Sequence, residues 1–160
     1  MSDPLEVYLH DHLAGSAAAI DLLETLRKER AGQPLGQFAS ELLAEIKDDR
    51  NTLRELGNKV GSDTSPVKEA AAWFAEKVSR LKLNHDSKDG LGTFEALEFL
   101  ALGIQGKLAM WRALSAAQSF DERLQGFDFE HLAARAKSQH DNVEERRLDY
   151  ARAIFRSPRK

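Results

Sequence analysis

From Pro34 to Gly61 the chain carries an apolar residue at every third or fourth position, Leu35, Phe38, Leu42, Ile46, Leu53, Leu56 and Val60, with one aspartate, Asp49, standing in the same stripe. That period gathers them on one face of an α-helix and excludes a strand, whose faces alternate at every second residue. An apolar face of this length has to be covered, and the same period recurs through most of the sequence. The chain is therefore committed to helix-on-helix packing.

Breakers divide the pattern into five helical segments. The first is expected after Asp3-Pro4, a capping residue followed by proline at the first helical position, and to end near Ala31 before Gly32-Gln33-Pro34. Its stripe reads Leu5, Leu9, His12, Ser16, Ile20, Leu23. The second spans Pro34 to Val60, with Gly61 as its stop. A shorter one follows Ser65-Pro66, carries Val67, Ala71, Phe74, Val78 and Leu81, and ends near Asn84-His85. After the polar stretch Asp86 to Gly92, the most apolar segment covers about Thr93 to Ala117, with Phe94, Leu97, Ala101, Ile104, Leu108 and Trp111 facing inward. Past the turn-forming Asp121 to Gly126, the last runs from the N-cap candidate Asp128 to Phe155, with Leu132, Ala136, Val143, Tyr150 and Ile154 as a weaker stripe.

Short connections make the first pair and the last pair antiparallel hairpins of helices about 40 Å long. A crossover of some thirty residues with a helix of its own joins them. The expected fold is thus an all-α antiparallel bundle on the ferritin-like plan, four long helices with a helical crossover, in one domain covering residues 1–160. A five-helix up-and-down array is the alternative.

With 160 residues, the chain is long enough to bury a core unaided. It has no cysteine, which removes disulfides, thiolate metal sites and cysteine nucleophiles from consideration. A formal net charge of -3, from 23 basic and 26 acidic side chains, gives no positive field for nucleic acid. Apolar runs such as Phe99 to Ile104 are far shorter than the roughly 20 residues of a membrane-spanning helix, so no membrane partner is expected. The first residues carry no leader pattern, and a cytoplasmic location is the expectation.

Polar residues that interrupt the stripes need partners, because an unpaired buried charge costs several kcal/mol. His12 lies between Leu9 and Ser16, and Asp49 between Ile46 and Leu53. Counted from the Gly32–Pro34 turn they fall within one or two helical turns of the same height, so a hydrogen-bonded His12–Asp49 pair that fixes register is the first reading. It predicts that His12→Leu with Asp49→Leu folds, whereas Asp49→Ala alone destabilises. Glu45 shares a face with Asp49, Glu98 borders the Leu97/Ala101 stripe, and His140 and Glu144 are one turn apart, with Glu98 level with Glu144 or Glu145.

The second reading joins His12, Glu45, Asp49, Glu98 and Glu144, with His140 as a sixth ligand, in a site for iron, manganese or zinc. Di-iron bundles use Glu-x-x-His on two helices, and no such spacing occurs here. The two readings differ in one respect. A register network needs His12, Asp49 and Glu98 paired with protein cations, whereas a metal centre needs carboxylates that converge without them. Asp11, His12, Asp49, Glu76, Arg80 and Lys107 make up the candidate network.

Glu76 and Arg80 have the spacing of an intrahelical ion pair, and Lys77, Arg80, Lys82 and Lys107 are candidates for an anion pocket. Trp73 and Trp111 are expected in the core or at its edge, and Tyr8 beside His12. Gly15, Gly103 and Gly106 sit within helical patterns, where glycine commonly permits close approach of helices. Phosphate-loop, dinucleotide-binding, zinc-protease and serine-hydrolase motifs are all missing, so no catalytic residue is assigned.

The stretches Tyr8-Leu-His-Asp-His-Leu-Ala-Gly15, Glu45-Ile-Lys-Asp-Asp-Arg50, Glu76-Lys-Val-Ser-Arg-Leu-Lys-Leu-Asn84 and Gly106-Lys-Leu-Ala-Met-Trp-Arg-Ala-Leu114 together resemble a family of small, uncharacterised bacterial proteins sometimes described as ferritin-like. The resemblance implies a helical bundle in a bacterial cytosol and carries no activity with it. The functions open at this point are a non-enzymatic bundle acting as a homodimer or through a protein partner, a metal-binding bundle, and a small-molecule binder with an interhelical pocket near Tyr8, His12 and Trp111.

Overall fold

The computed structural model describes residues 3–61, 76, 79 and 90–156. Four long helices are present among them, α1 (Pro4–Glu29), α2 (Pro34–Val60), α3 (Leu91–Ala117) and α4 (Phe129–Ile154), with a 3-10 turn at Glu122–Leu124 and no strand. The expected shorter helix after Ser65-Pro66 lies outside the described residues apart from Glu76 and Ser79, both helical and exposed. The charged residues Lys77, Arg80 and Lys82, and Trp73, fall outside them too.

Helix starts and stops follow the local chemistry. The Asp3 carboxylate accepts from the Leu5 N–H at 2.9 Å ahead of Pro4, and the Asp128 carboxylate accepts from the His131 N–H at 3.0 Å. Helix α2 ends on Gly61 at φ 93°, a left-handed conformation that a side chain would strain.

Two apolar clusters fix how the helices run. One joins Leu22, Leu23 and Leu26 from late α1, Phe38 to Ile46 from early α2, Ala96 to Ile104 from early α3, and Val143 from late α4. The other joins Leu9 and Leu13, Leu53 to Val60, Leu108 to Leu114, and Phe129 to Ala136. Helices α1 and α4 therefore point one way and α2 and α3 the other. The chain between Gly61 and Gly90 connects opposite ends of the bundle, as four long helices with one long crossover require. No helix among the described residues is long and apolar enough to cross a membrane.

The α2 stripe is seated as its period predicts, with Phe38, Leu42, Ile46, Asp49, Leu53, Leu56 and Val60 all buried. Helix α1 is rotated from the expected stripe. Its buried face is Leu9, Leu13, Ala18, Leu22, Leu23 and Leu26, while His12 and Ser16 sit partly buried at its edge. Between the two clusters the core is interrupted at mid-height, and the interruption is polar.

Candidate functional site

Three polar or charged residues are fully buried among the described residues, Asp49, Thr93 and Gln139. Asp49 and Gln139 occupy the gap between the apolar clusters. On α2 Asp49 falls between Ile46 and Leu53, on α3 Lys107 falls between Ile104 and Leu108, and on α4 Gln139 falls between Ala136 and Val143. At 2 % exposure the Asp49 carboxylate has no water to solvate it and depends on its neighbours. One oxygen accepts from the Arg135 guanidinium, through Nε at 2.9 Å and through Nη2. The other accepts from Lys107 Nζ and from Gln139 Nε2 at 3.2 Å.

The layer continues outward. Gln139 Nε2 also donates to Glu45 at 2.9 Å, its carbonyl oxygen accepts from Lys107 Nζ at 2.5 Å, and Arg135 Nη1 donates to Asp48 at 3.0 Å. Burial holds the Lys107 ammonium below the usual lysine range, and the Asp49 charge beside it works in the opposite direction.

Asp49 and Lys107 thus meet as members of one network, but the His12–Asp49 pair does not form. Lys107, Arg135 and Gln139 occupy the acceptor positions of Asp49, and His12 instead meets the Tyr8 ring edge-on at 4.8 Å. The physical reason is the rotation of α1, which puts His12 at the edge of the bundle interior. Gln139 was readable as a polar residue in the α4 stripe. Arg135 flanks that stripe, and only the crossing geometry of α2 and α4 shows that it turns inward.

The six candidate metal ligands are dispersed among separate partners. Glu98 and Glu144 stand at the same level, as the helix register predicts, but Arg147 bridges them at 2.9 Å and at 2.6 and 2.7 Å. His140 contacts Asp141 at 3.4 Å, Glu45 takes Gln139, and Asp49 takes Lys107 and Arg135. Among the described residues no three His, Asp or Glu side chains come together in a way that could hold a metal ion. Of the remaining network candidates, Asp11 is exposed beside His12, Glu76 is exposed, and Arg80 lies outside the described residues.

Beside the polar layer, α1, α2 and α3 border a partly open cavity of about 520 Å³. Its walls are mostly apolar, from Ile46, Leu53, Phe99, Ile104, Met110 and Trp111, and its polar groups come from Asp11, His12, Ser16, Asp49, Arg50 and Lys107. Gly103 and Gly106 also line it, and a methyl group built on either would meet nothing within 4 Å. Among the described residues neither glycine brings helices into contact, as their pattern suggests: Gly103 is exposed, and the partly buried Gly106 borders open space.

Trp111 is fully buried and stacks on Phe129 at 6.0 Å, yet among the described residues its indole N–H has no hydrogen-bond partner. Arg50 Nε donates to Ser16 at 2.8 Å, and among the described residues the guanidinium has no carboxylate within ion-pair distance. Burial, and next the nearby Arg54 charge, lower its pKa.

Burial also lowers the pKa of His12 from the ordinary value of 6.5, against a smaller upward pull from Asp11. The folded protein therefore favours the neutral imidazole, and the unfolded chain binds the extra proton as pH falls through about 6.5. Stability is expected to fall between pH 7 and 5.5, and His12→Phe should flatten that part of the profile. Thermal midpoints of both proteins across this range check it, and identical slopes would contradict it. A scan against models of protein families, a search of curated proteins and a search of solved structures each return no match.

Proposed function

We propose that this protein is a non-enzymatic binding module that holds a small, largely apolar molecule in the cavity between α1, α2 and α3. The observation that carries the reading is the cavity itself. Its volume of about 520 Å³ lies within the range of ligand sites, and it joins apolar walls to a few fixed polar groups, the usual composition of such sites. Protein interiors are normally close-packed, so space left beside the partly buried mid-helix Gly106 calls for an occupant. Such a glycine costs roughly 1 kcal/mol relative to alanine.

The buried ion network belongs to this reading as the floor of the site. Asp49, Lys107 and Gln139 tie α2, α3 and α4 at one height and hold the helices that frame the cavity. The network's charges already have partners, which leaves it a framework with no free group for acid–base chemistry.

A neutral fluorescent probe, N-phenyl-1-naphthylamine, tests the reading through thermal denaturation. A ligand at about 100 times its Kd stabilises the folded state by roughly 2.7 kcal/mol, which in a chain of this size raises the midpoint by several degrees. A saturable rise in Tm with probe concentration is expected. An unchanged Tm up to the probe's solubility limit would count against a binding cavity.

A further inference from the structure

We infer that α3 is an interface, and that a second copy of this chain packs on its outward side, antiparallel and related by a two-fold axis. The inference stands apart from what the cavity holds. It starts from the two sides of the helix. The inward side, with Leu97, Ile104, Leu108 and Trp111, is buried in the bundle. The outward side is apolar too. Leu102 keeps 68 % of its surface exposed, Ala109, Ala113 and Ala116 are exposed, and Gly106 between them is partly buried.

These positions, 102, 106, 109, 113 and 116, are separated by steps of four, three, four and three, the spacing of a seam between two helices. A helix that is apolar on every side is ordinarily covered on every side, and among the described residues nothing covers this stripe. Its small side chains let a second helix approach to the short end of the usual range of about 8–10 Å between axes.

The charges beside the seam select the occupant. Glu98, Gln105 and Arg112 follow one another at seven-residue intervals and so share one edge of the stripe. The middle residue of α3 (Leu91–Ala117) is Ile104, next to Gln105. A two-fold axis at that height overlaps the whole helix with its antiparallel copy. It also sets Glu98 beside the partner's Arg112 and Arg112 beside the partner's Glu98, the self-complementary pairing that such an axis requires. A parallel copy in register would instead place each charge beside its like. Both groups are within reach of a partner, since Arg112 is exposed and Glu98, which gives one oxygen to Arg147 at 2.9 Å, is half exposed.

Sedimentation equilibrium of the full chain tests this. As concentration rises to about 0.5 mM, the mass is expected to climb from the 17.9 kDa of one chain toward twice that value. Ala109→Glu puts a charge in the seam at an exposed position. It should raise the dimer dissociation constant by about 100-fold and leave the thermal midpoint of the dilute protein unchanged. Arg112→Glu sets a carboxylate against the partner's Glu98 and should weaken the dimer by about 10- to 100-fold, and adding Glu98→Arg should restore most of that loss.

A protein that stays at the mass of one chain throughout overturns the inference. So does a dimer that Ala109→Glu leaves intact, because it forms through another face. A dimer that Ala109→Glu breaks but Arg112→Glu does not weaken overturns the antiparallel pairing. None of these outcomes bears on probe binding in the cavity, so the two readings fail separately.

Discussion

Replacing Asp49 with alanine is expected to lower stability by about 3–5 kcal/mol, because it strips the counter-charge from two cations at once. Among the described residues, Lys107 would keep the Gln139 carbonyl oxygen and the more distant Glu45, and Arg135 would keep the exposed Asp48. The site is too deep for water to compensate readily, since Asp49 itself is 2 % exposed. Lys107, whose pKa burial already lowers, should then release its proton more easily. A lysine with a depressed folded-state pKa binds fewer protons than the unfolded chain, so the variant should regain stability as pH rises toward about 10.

Removing both partners is a different case. Asp49→Leu with Lys107→Met leaves Arg135 beside Asp48 and should cost less than Asp49→Ala alone, because hydrophobic replacement of a buried ion pair is often neutral or better. Urea denaturation of the three proteins measures this. An Asp49→Ala variant within about 0.5 kcal/mol of wild type would show that the network does not bear on stability.

Gly36→Ala should be the most damaging alanine substitution at a glycine, with an expected loss of about 2–3 kcal/mol. Gly36 is buried in the first turn of α2, where the chain has just reversed from α1. A Cβ there would stand 2.0 Å from the Arg30 carbonyl oxygen and 2.6 Å from its carbon. That carbonyl cannot swing aside freely, because it accepts the Gln33 N–H at 3.0 Å that closes the turn. Arg30 also donates to Thr93 at 2.9 Å, so a shift of the turn would be felt at the start of α3.

Gly106→Ala is the matched control. Its Cβ meets open space, and the substitution should gain roughly 0.5–1 kcal/mol from helix propensity. Denaturation midpoints that move in opposite directions at constant slope would bear this out. A Gly36→Ala protein as stable as wild type would contradict the geometry of the turn.

The helices were legible because their signals are local and reinforce one another. Asp3-Pro4, Pro34, Gly61 and Asp128 mark ends that the structure keeps, and the α2 stripe is dense enough in large apolar residues to fix its own rotation. Helix α1 was not readable in the same way. Its middle, Ala14-Gly15-Ser16-Ala17-Ala18-Ala19, holds small residues on every face, so its hydrophobic direction is weak and the facing of His12 follows from tertiary packing.

The site was half legible for a related reason. Asp49 stands out as the charge in an apolar stripe, but the choice among His12, Lys107 and Arg135 as its partner depends on how three other helices rotate about it. The cavity was legible in outline, since His12 and Trp111, two of the three residues expected around an interhelical pocket, line it, but its extent beside Gly106 was not. Glycine in a helical pattern reads equally as close approach or as space until the neighbouring helix is placed.

The central claim is that the space beside Gly106 is a binding site, and a fluorescence titration of N-phenyl-1-naphthylamine against wild type and Gly106→Leu tests it most directly. The leucine grows from a position where a Cβ meets nothing within 4 Å, so the variant should fold and occupy the space the probe needs. Saturable, one-to-one enhancement is expected with wild type, and its loss in a Gly106→Leu protein of undiminished thermal stability. Equal titration curves for the two proteins would place the probe elsewhere and contradict the account.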